Sequence, residues 1–315
     1  MDSNNISIQV TGLRKSYKGV SVLNDVNFII EKGTIFSLLG SNGAGKTTTI
    51  KVLTTLVKPD SGDVRICGFD VLKEPGKIHE IISLTGQFAA VDETLTGFEN
   101  LVIMGKLNHL SAPKEKANEL LSYFDLAHSA NRLVSTYSGG MRRKLDIAMS
   151  LVNNPAILFL DEPTTGLDPQ SRHNMWDIIK DLKSKGTTIF LTTQYLEEAE
   201  ELADHIAILD KGSIIVDGTL ADLKKLLPQE IIAFTFSSEQ DFQKALPLLT
   251  EYKVIPDCKN NLLTVYTCEA INVLTKLFKL FITNNINIAD VSRKSPSLED
   301  VFLTLIGEKE ALTDE

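Results

Sequence analysis

The sequence predicts an α/β protein with a parallel sheet in its core, followed by a smaller α+β domain. Residues 156–192 read as a strand, a helix and a second strand, which is the order that gives neighbouring parallel strands. After residue 230, the predicted strands and helices follow the order βαββαβ, which does not give a sheet of parallel neighbours only. The chain has 315 residues, 43% of them hydrophobic, which is enough for two cores. We therefore expect one domain over residues 1–220 and a second over residues 221–315.

The first domain opens with short β-rich runs that predict an antiparallel edge leading into the parallel strands. These runs are Ile6–Val10, Val26–Ile30 and Ile35–Leu38. From residue 96 to residue 153 the apolar residues recur at helical spacing instead, as Phe98, Leu101 and Val102 do. This change predicts a helical subdomain, over about residues 88–153, inserted into the α/β core.

The second domain is predicted to have the order βαββαβ, which is that of ferredoxin-like domains. Its strands are expected at Ile231–Phe236, Tyr252–Ile255, Leu262–Thr267 and Ile286–Val291, and its helices at Gln240–Leu249 and Ile271–Phe281. A last helix follows Ser297, because Asp300 three residues later completes an N-terminal capping signal. No catalytic constellation is visible in this part of the sequence. We expect a packing, dimerising or regulatory module.

The most specific motif is Gly40-Ser41-Asn42-Gly43-Ala44-Gly45-Lys46-Thr47, which fits the phosphate-binding pattern G-x-x-x-x-G-K-[ST]. It lies between a predicted strand, Thr34–Leu39, and a predicted helix, Thr48–Leu56, as that pattern requires. Bare backbone at the glycines can wrap a phosphate closely, and the helix N-terminus favours its negative charge. Lys46 would reach the β- and γ-phosphates, and the Thr47 hydroxyl would bind Mg²⁺. The sequence therefore predicts a site for a nucleoside triphosphate formed by Ser41, Asn42, Gly43, Ala44, Gly45, Lys46, Thr47 and Thr48.

Two adjacent carboxylates, Asp161 and Glu162, end the apolar strand Ala156–Leu160. Open parallel sheets bind ligands beyond the carboxyl ends of their strands, so these acids are expected beside the phosphate loop. Asp161 would hold Mg²⁺, directly or through water, while Glu162 would orient and deprotonate an attacking water. Such a strand end carries little information alone and becomes informative downstream of a complete phosphate loop.

A third motif, Ser138-Gly139-Gly140, precedes another predicted helix and offers a second anion site, because a serine cap and bare backbone meet a helix N-terminus there. Together with the phosphate loop and the Leu160-Asp161-Glu162 strand end, it resembles the ATPase subunit of an ATP-binding cassette (ABC) transporter over residues 6 to about 220. The resemblance implies a head-to-tail dimer in which Ser138, Gly139 and Gly140 of one subunit close on the ATP held by the other. It also implies ATP and Mg²⁺ as cofactors.

Further roles follow from this resemblance alone. Tyr17 takes the place of an aromatic that stacks on adenine, and Gln87 that of a loop glutamine that touches Mg²⁺ and faces the membrane subunit. Asp168 matches a loop that communicates across the dimer. Gln194 stands where most cassette ATPases place a histidine that contacts the γ-phosphate. Because glutamine donates a hydrogen bond but cannot become cationic, we expect Gln194 to keep the contact and hydrolysis to be slow.

The resemblance extends to one group of ABC proteins, the daunorubicin-resistance-type ATPases, which resemble bacterial exporters of drugs and lipid-like compounds. It is carried by the segments Gly86-Gln87, 90–97, 138–146, 192–199 and 296–303. It implies a peripheral protein on the cytoplasmic face of the membrane. The identity of the transported compound is the property that is least safely inferred from relatives.

Composition limits the partners. The net charge of −9 argues against a nucleic-acid partner that needs a broad cationic footprint. The sequence has no run of eighteen apolar residues, so transport requires a separately encoded permease. Two alternatives stay open: a soluble ABC ATPase that acts on ribosomes or DNA, and a regulatory switch that binds ATP without turnover. The single phosphate loop and the absence of sustained heptads between Lys46 and Ser138 count against the first, whereas Gln194 favours the second.

Overall fold

The computed structural model describes residues 5–87, 89–227, 230–267, 269–294 and 296–313. The chain divides into two compact units, Met1–Thr219 and Leu220–Glu315.

The first unit contains two sheets and two groups of helices. Its strands are β1 (Ile6–Tyr17), β2 (Val20–Glu31), β3 (Ile35–Leu39), β4 (Ser61–Ile66), β5 (Phe69–Asp70), β6 (Ile82–Thr85), β7 (Ile157–Asp161), β8 (Thr188–Thr193), β9 (His205–Asp210) and β10 (Ser213–Gly218). Its helices are α1 (Lys46–Leu53), α2 (Pro75–Ile81), α3 (Gly97–Leu107), α4 (Pro113–Tyr123), α5 (Gly139–Ser150), α6 (Pro169–Ser184) and α7 (Leu196–Leu202).

The larger sheet has the order β10-β9-β3-β8-β7-β6, in which β9, β3, β8, β7 and β6 pair in parallel and β10 pairs antiparallel with β9. The smaller sheet, β2-β1-β4-β5, is antiparallel throughout. This arrangement confirms the predicted parallel core with an antiparallel β edge. It also places the carboxyl ends of β3, β7 and β8 side by side, where ligands of parallel sheets bind.

Both faces of the parallel sheet are covered, which explains why its central strands are apolar along their whole length. In β7, Ile157 and Phe159 pack into a core shared with the antiparallel sheet and α1. Leu158 and Leu160 point to the opposite face and pack into a core formed with the helical segments. The side chains therefore alternate between two cores rather than between a core and water.

The second unit contains β11 (Glu230–Phe236), β12 (Lys253–Asp257), β13 (Leu262–Thr267), β14 (Ile288–Lys294), α8 (Leu220–Lys224), α9 (Glu239–Ala245), α10 (Ala270–Thr283) and α11 (Leu298–Thr313). The strands form an antiparallel sheet in the order β12-β13-β11-β14. Phe242 of α9 and Phe281 of α10 pack on one face of this sheet. On the other face, the Tyr266 hydroxyl lies 3.5 Å from a carboxylate oxygen of Asp300 in α11. The ferredoxin-like order is therefore confirmed.

Several boundaries differ from the sequence prediction. β1 and β2 are longer than expected, because irregularities in their register, including one beside Gly12 (φ +64°), let pairing continue to Tyr17. β4 and β5 were not predicted from the sequence, since only Val64 and Ile66 of β4 are buried. Helix α1 begins at Lys46 and ends at Leu53, and Thr55 follows with a left-handed φ of +62°.

Candidate active site

A cavity of about 530 Å³ lies beyond the carboxyl ends of the parallel strands. It brings together most of the residues that the sequence assigned to nucleotide chemistry. The lining residues are Val22, Asn42, Gly43, Gly45, Lys46, Thr47, Thr48, Gln87, Glu162, Thr165 and Gln194. Ser41 and Ala44 belong to the same loop without lining the cavity, and the Ala44 side chain packs into the core instead.

The phosphate loop is held so tightly that two of its glycines have no room for a side chain. A Cβ atom at Gly40 would lie 2.5 Å from the carbonyl oxygen of Leu209. At Gly45 it would lie 2.7 Å from Leu23 Cδ2, and Gly45 also has a left-handed φ of +115°. The loop therefore needs glycine both for its close approach to β2 and β9 and for its turn into α1.

Lys46 is buried and aimed across the cavity. Its Nζ donates to the carbonyl oxygens of Gly40 and Ser41 at 2.8 and 3.1 Å. The same Nζ forms an ion pair with Glu162 Oε1 at 3.2 Å. The side chains of both partners are less than one-tenth exposed. The lysine expected to bind phosphate and the expected catalytic base are thus in direct contact.

The oxygen atoms expected to bind Mg²⁺ lie next to each other. Thr47 Oγ1 is 3.4 Å from Asp161 Oδ1, and that carboxylate oxygen also accepts a hydrogen bond of 2.6 Å from Thr192 Oγ1. A hydroxyl and a buried carboxylate at this separation suit a small cation that prefers oxygen ligands in octahedral geometry. The residues present therefore fit the ion.

Glu162 occupies the bend after β7, with a left-handed φ of +50°. Its N–H donates to the Thr192 carbonyl and hydroxyl oxygens, both at 3.1 Å. Its Oε2 accepts from Gln87 Nε2 at 3.4 Å and from Thr165 Oγ1 at 3.3 Å. The bend turns the carboxylate into the cavity, although successive side chains on a straight strand point to opposite faces.

The signature motif and Asp168 lie outside this cavity but close to each other. Ser138 is the N-cap of α5, where its Oγ accepts from Met141 N at 3.2 Å. Asp168 is the N-cap of α6 and accepts from the N–H and the hydroxyl of Ser171, which lower its carboxyl pKa. A Cβ atom on Gly140 would lie 2.9 Å from Ser171 Oγ. The two helix N-termini are therefore packed together within one chain.

Tyr17 also lies outside the cavity lining. Its side chain is exposed at the end of β1, with Lys15 Nζ 5.4 Å from the ring centroid.

Comparison with known proteins supplies the family. The sequence profile described as ABC transporter matches residues 23–165. The chain is 43% identical over 306 residues to the daunorubicin/doxorubicin resistance ATP-binding protein DrrA of Streptomyces peucetius, covering 96% of this chain and 92% of that protein. This chain belongs to the ABC transporter ATP-binding subunits.

Solved structures agree with this membership. An ATP binding subunit of an ABC transporter matches with a TM-score of 0.63 and 31% identity, over 70% of this chain and 92% of that one. A dimeric ATP-binding cassette in a post-hydrolysis state, bound to ADP and Pi, matches with a TM-score of 0.62 and 25% identity, over 68% and 98% of the two chains. The resemblance stated from the motifs is confirmed, and the protein is an ATPase of the kind that powers transport.

Sequence reasoning missed two buried polar groups in this ABC ATPase. The first is Arg143 with Asp146 on α5, joined by an ion pair of 3.2 Å. Burial lowers the pKa of Arg143 and raises that of Asp146, although each partner's charge opposes the shift of the other. Their i,i+3 spacing, with Arg143 four residues before the buried Ile147, was the available signal.

The second missed group is Glu198 of α7, which is fully buried. Its Oε1 accepts from Thr164 Oγ1 at 2.8 Å and from Trp176 Nε1 at 3.1 Å. Burial raises the pKa of this carboxyl group. The sequence gives no local signal of this burial, because Glu198 lies among the acidic residues Glu197, Glu200 and Glu201.

Proposed function

We propose that this chain is the ATP-hydrolysing subunit of an exporter, and that it moves a drug-like or lipophilic compound through a separate membrane permease. The proposal that the chain hydrolyses ATP is supported by one observation. One cavity is lined by Lys46, Gln87, Glu162 and Gln194. The export role rests on the 43% identity to a daunorubicin/doxorubicin resistance ATP-binding protein. In the described part of the chain, every helix is too short or too polar to cross a bilayer.

The residues of the cavity can divide the work of hydrolysis. Lys46 would neutralise charge on the β- and γ-phosphates, and Glu162 would take the proton of the attacking water. Gln194 would donate a hydrogen bond to the γ-phosphate. Thr47, Asp161 and Gln87 would hold Mg²⁺, which when bound supplies positive charge that offsets the charge of the phosphates.

The ion pair between Lys46 and Glu162 would be broken in the first step of the hydrolysis cycle. Incoming phosphate groups compete with Glu162 for the ammonium group, because both are anions within reach of the same cation. Binding of ATP would therefore release the Glu162 carboxylate from Lys46. The base would become available only when its substrate is in place.

The second anion site at the N-terminus of α5 would act on a second copy of the chain. We propose that Ser138, Gly139 and Gly140 of one subunit seal the ATP that is bound to the phosphate loop of the other, with Asp168 near the same contact. Tyr17 would stack on the adenine. We propose domain limits of 1–220 and 221–315, with a helical subdomain over about residues 88–153 that, with Gln87, faces the permease on the cytoplasmic side of the membrane.

Steady-state ATP hydrolysis tests the catalytic assignment. We expect Glu162→Gln to lower kcat by at least ~100-fold while ATP binding persists and ATP-bound dimers accumulate, because it removes only the base. Gln194→Ala should lower kcat by ~10-fold, because it removes about one hydrogen bond. The matched control is Glu115→Gln, the same change on an exposed residue of α4.

The outcomes separate the alternatives. An inactive Glu162→Gln with an unchanged Gln194→Ala would withdraw the γ-phosphate role of Gln194. A wild-type chain without turnover, unaffected by Glu162→Gln, would favour the ATP-binding switch. A hydrolysis-blocked, ATP-loaded preparation that stays monomeric even with its permease would contradict the shared site.

The cargo is tested on the complex with its permease. ATPase rates of the purified pair are compared in the presence of candidate lipophilic drugs. Stimulation by a compound would identify it as cargo, and a polar compound as the only stimulant would contradict the proposed class.

A further inference from the structure

Arg143 contacts the backbone of the catalytic strand end from a buried position on α5. Its side chain is 7% exposed. Nε donates to the Pro163 carbonyl oxygen at 2.9 Å, and Nη2 donates to the carbonyl oxygens of Asp161 and Glu162 at 3.2 and 3.5 Å. One guanidinium group thus binds three consecutive carbonyl groups around the bend at Glu162.

The same guanidinium group also reaches the loop that carries Gln87. Nη1 donates to the Gly86 carbonyl oxygen at 2.6 Å and pairs with Asp146 Oδ2 at 3.2 Å. The other oxygen of Asp146 accepts from the Ala90 N–H at 3.0 Å. Arg143 and Asp146 therefore join α5 to both loops whose side chains meet over the cavity.

The bend at Glu162 needs such support. A left-handed φ is unfavourable for a residue with a side chain and persists only where its surroundings enforce it. The planar guanidinium fork can bind several carbonyl groups at once, which a lysine ammonium at the same place could do only in part. Buried ion pairs add little net stability compared with apolar residues, so stability alone does not account for this pair.

We infer that Arg143 is a positioning residue for hydrolysis: it holds the bend at Glu162 and the loop of Gln87 in the geometry that keeps the carboxylate in the cavity. The inference rests on the proposed function of Glu162 as base. Because Ser138 is the N-cap of α5, the same helix links the signature motif to the catalytic carboxylate. Arg143 acts through the backbone and lies outside the cavity lining.

The test compares Arg143→Gln with Arg143→Lys in the full-length chain. A small misplacement of a catalytic group costs up to ~100-fold in rate, so we expect Arg143→Gln to lower kcat by ~10–100-fold. KM and the Kd for ATP should stay within about 2-fold, because the phosphate loop is untouched. Arg143→Lys should recover part of kcat. The matched control, Arg65→Gln, makes the same change at an exposed ion pair on β4 and should leave both constants unchanged.

Three results would overturn the inference. A folded Arg143→Gln with wild-type kcat would show that the carboxylate does not need the guanidinium group. Equal losses in kcat and ATP affinity, or a kcat of Arg143→Lys no better than that of Arg143→Gln, would indicate a merely structural role. Glu162→Gln is assayed beside them: if it keeps wild-type turnover, the proposed function fails, whereas an inactive Glu162→Gln beside a normal Arg143→Gln removes this inference alone.

Discussion

Buried charged side chains in the first unit converge on the carboxyl ends of the parallel strands, whereas those in the second unit belong to helix N-termini. The cavity is lined by Lys46 and Glu162, and Asp161 and Arg143 are buried beside it. In the described part of the second unit, the buried acids are Asp241 and Asp300, each bonded to the serine three residues before it.

This difference separates two uses of buried polarity. An acid that bonds its own helix N-terminus satisfies backbone donors and needs no further explanation. Charges that gather from distant parts of the sequence are costly to bury, and their grouping indicates chemistry. We therefore expect the reaction in the first unit, whereas capping accounts for the two buried acids of the second.

Loss of a central aromatic ring should give the largest effect on stability. Phe281 is fully buried, with ring centroids 5.3 and 5.5 Å from those of Phe234 and Phe236. We expect Phe281→Ala to lower the unfolding free energy of the second unit by ~3–5 kcal/mol, because it removes contacts and leaves a cavity. Hydrogen exchange of the β11 and β13 amides measures this loss of unfolding free energy. Ile282→Ala changes a neighbour that is 72% exposed, and a comparable loss there would contradict the apolar core as the cause.

Two serine caps with hydrogen bonds of equal length sharpen the comparison between the units. Ser138 Oγ and Ser297 Oγ each accept from the N–H three residues later at 3.2 Å. Serine to alanine at either cap should cost ~1 kcal/mol of stability. We expect Ser138→Ala also to lower the ATPase kcat by ~100-fold or more, as loss of a donor to transition-state charge does. Ser297→Ala should leave kcat unchanged, and equal effects on kcat at both caps would remove the signature role of Ser138.

Glu198→Gln should have the smallest effect on stability, and the size of that effect should depend on pH. Its raised pKa means that the contribution of Glu198 to stability is present below its unfolded pKa and is lost as pH rises through the folded pKa. A neutral glutamine removes this loss. We expect the variant to exceed the wild type by ~1 kcal/mol at pH 8 and by less at pH 5, in urea unfolding.

Glu197→Gln is the control for this pH dependence, because it makes the same change on a side chain that is 68% exposed. A difference between Glu198→Gln and wild type that is the same at both pH values would show that Glu198 does not titrate as its burial requires.

The sequence alone determined the parallel core, the ferredoxin-like order of the second unit and the ABC family. These features depend on local signals: apolar runs of strand length, helical periodicity, capping residues and a loop whose glycines and lysine have fixed spacing. The exposed strand β4 escaped prediction because few of its residues are buried.

Only the tertiary structure showed which further polar residues are buried beside the site. Arg143 and Asp146 resemble an ordinary helix ion pair, and Glu198 resembles a solvated acid, until packing removes them from water and sets them against the loops that follow β6 and β7. The contact of Lys46 with Glu162 joins residues far apart in the chain. Burial and long-range contact exist only once the strands are paired, and they give these side chains their energies and partners.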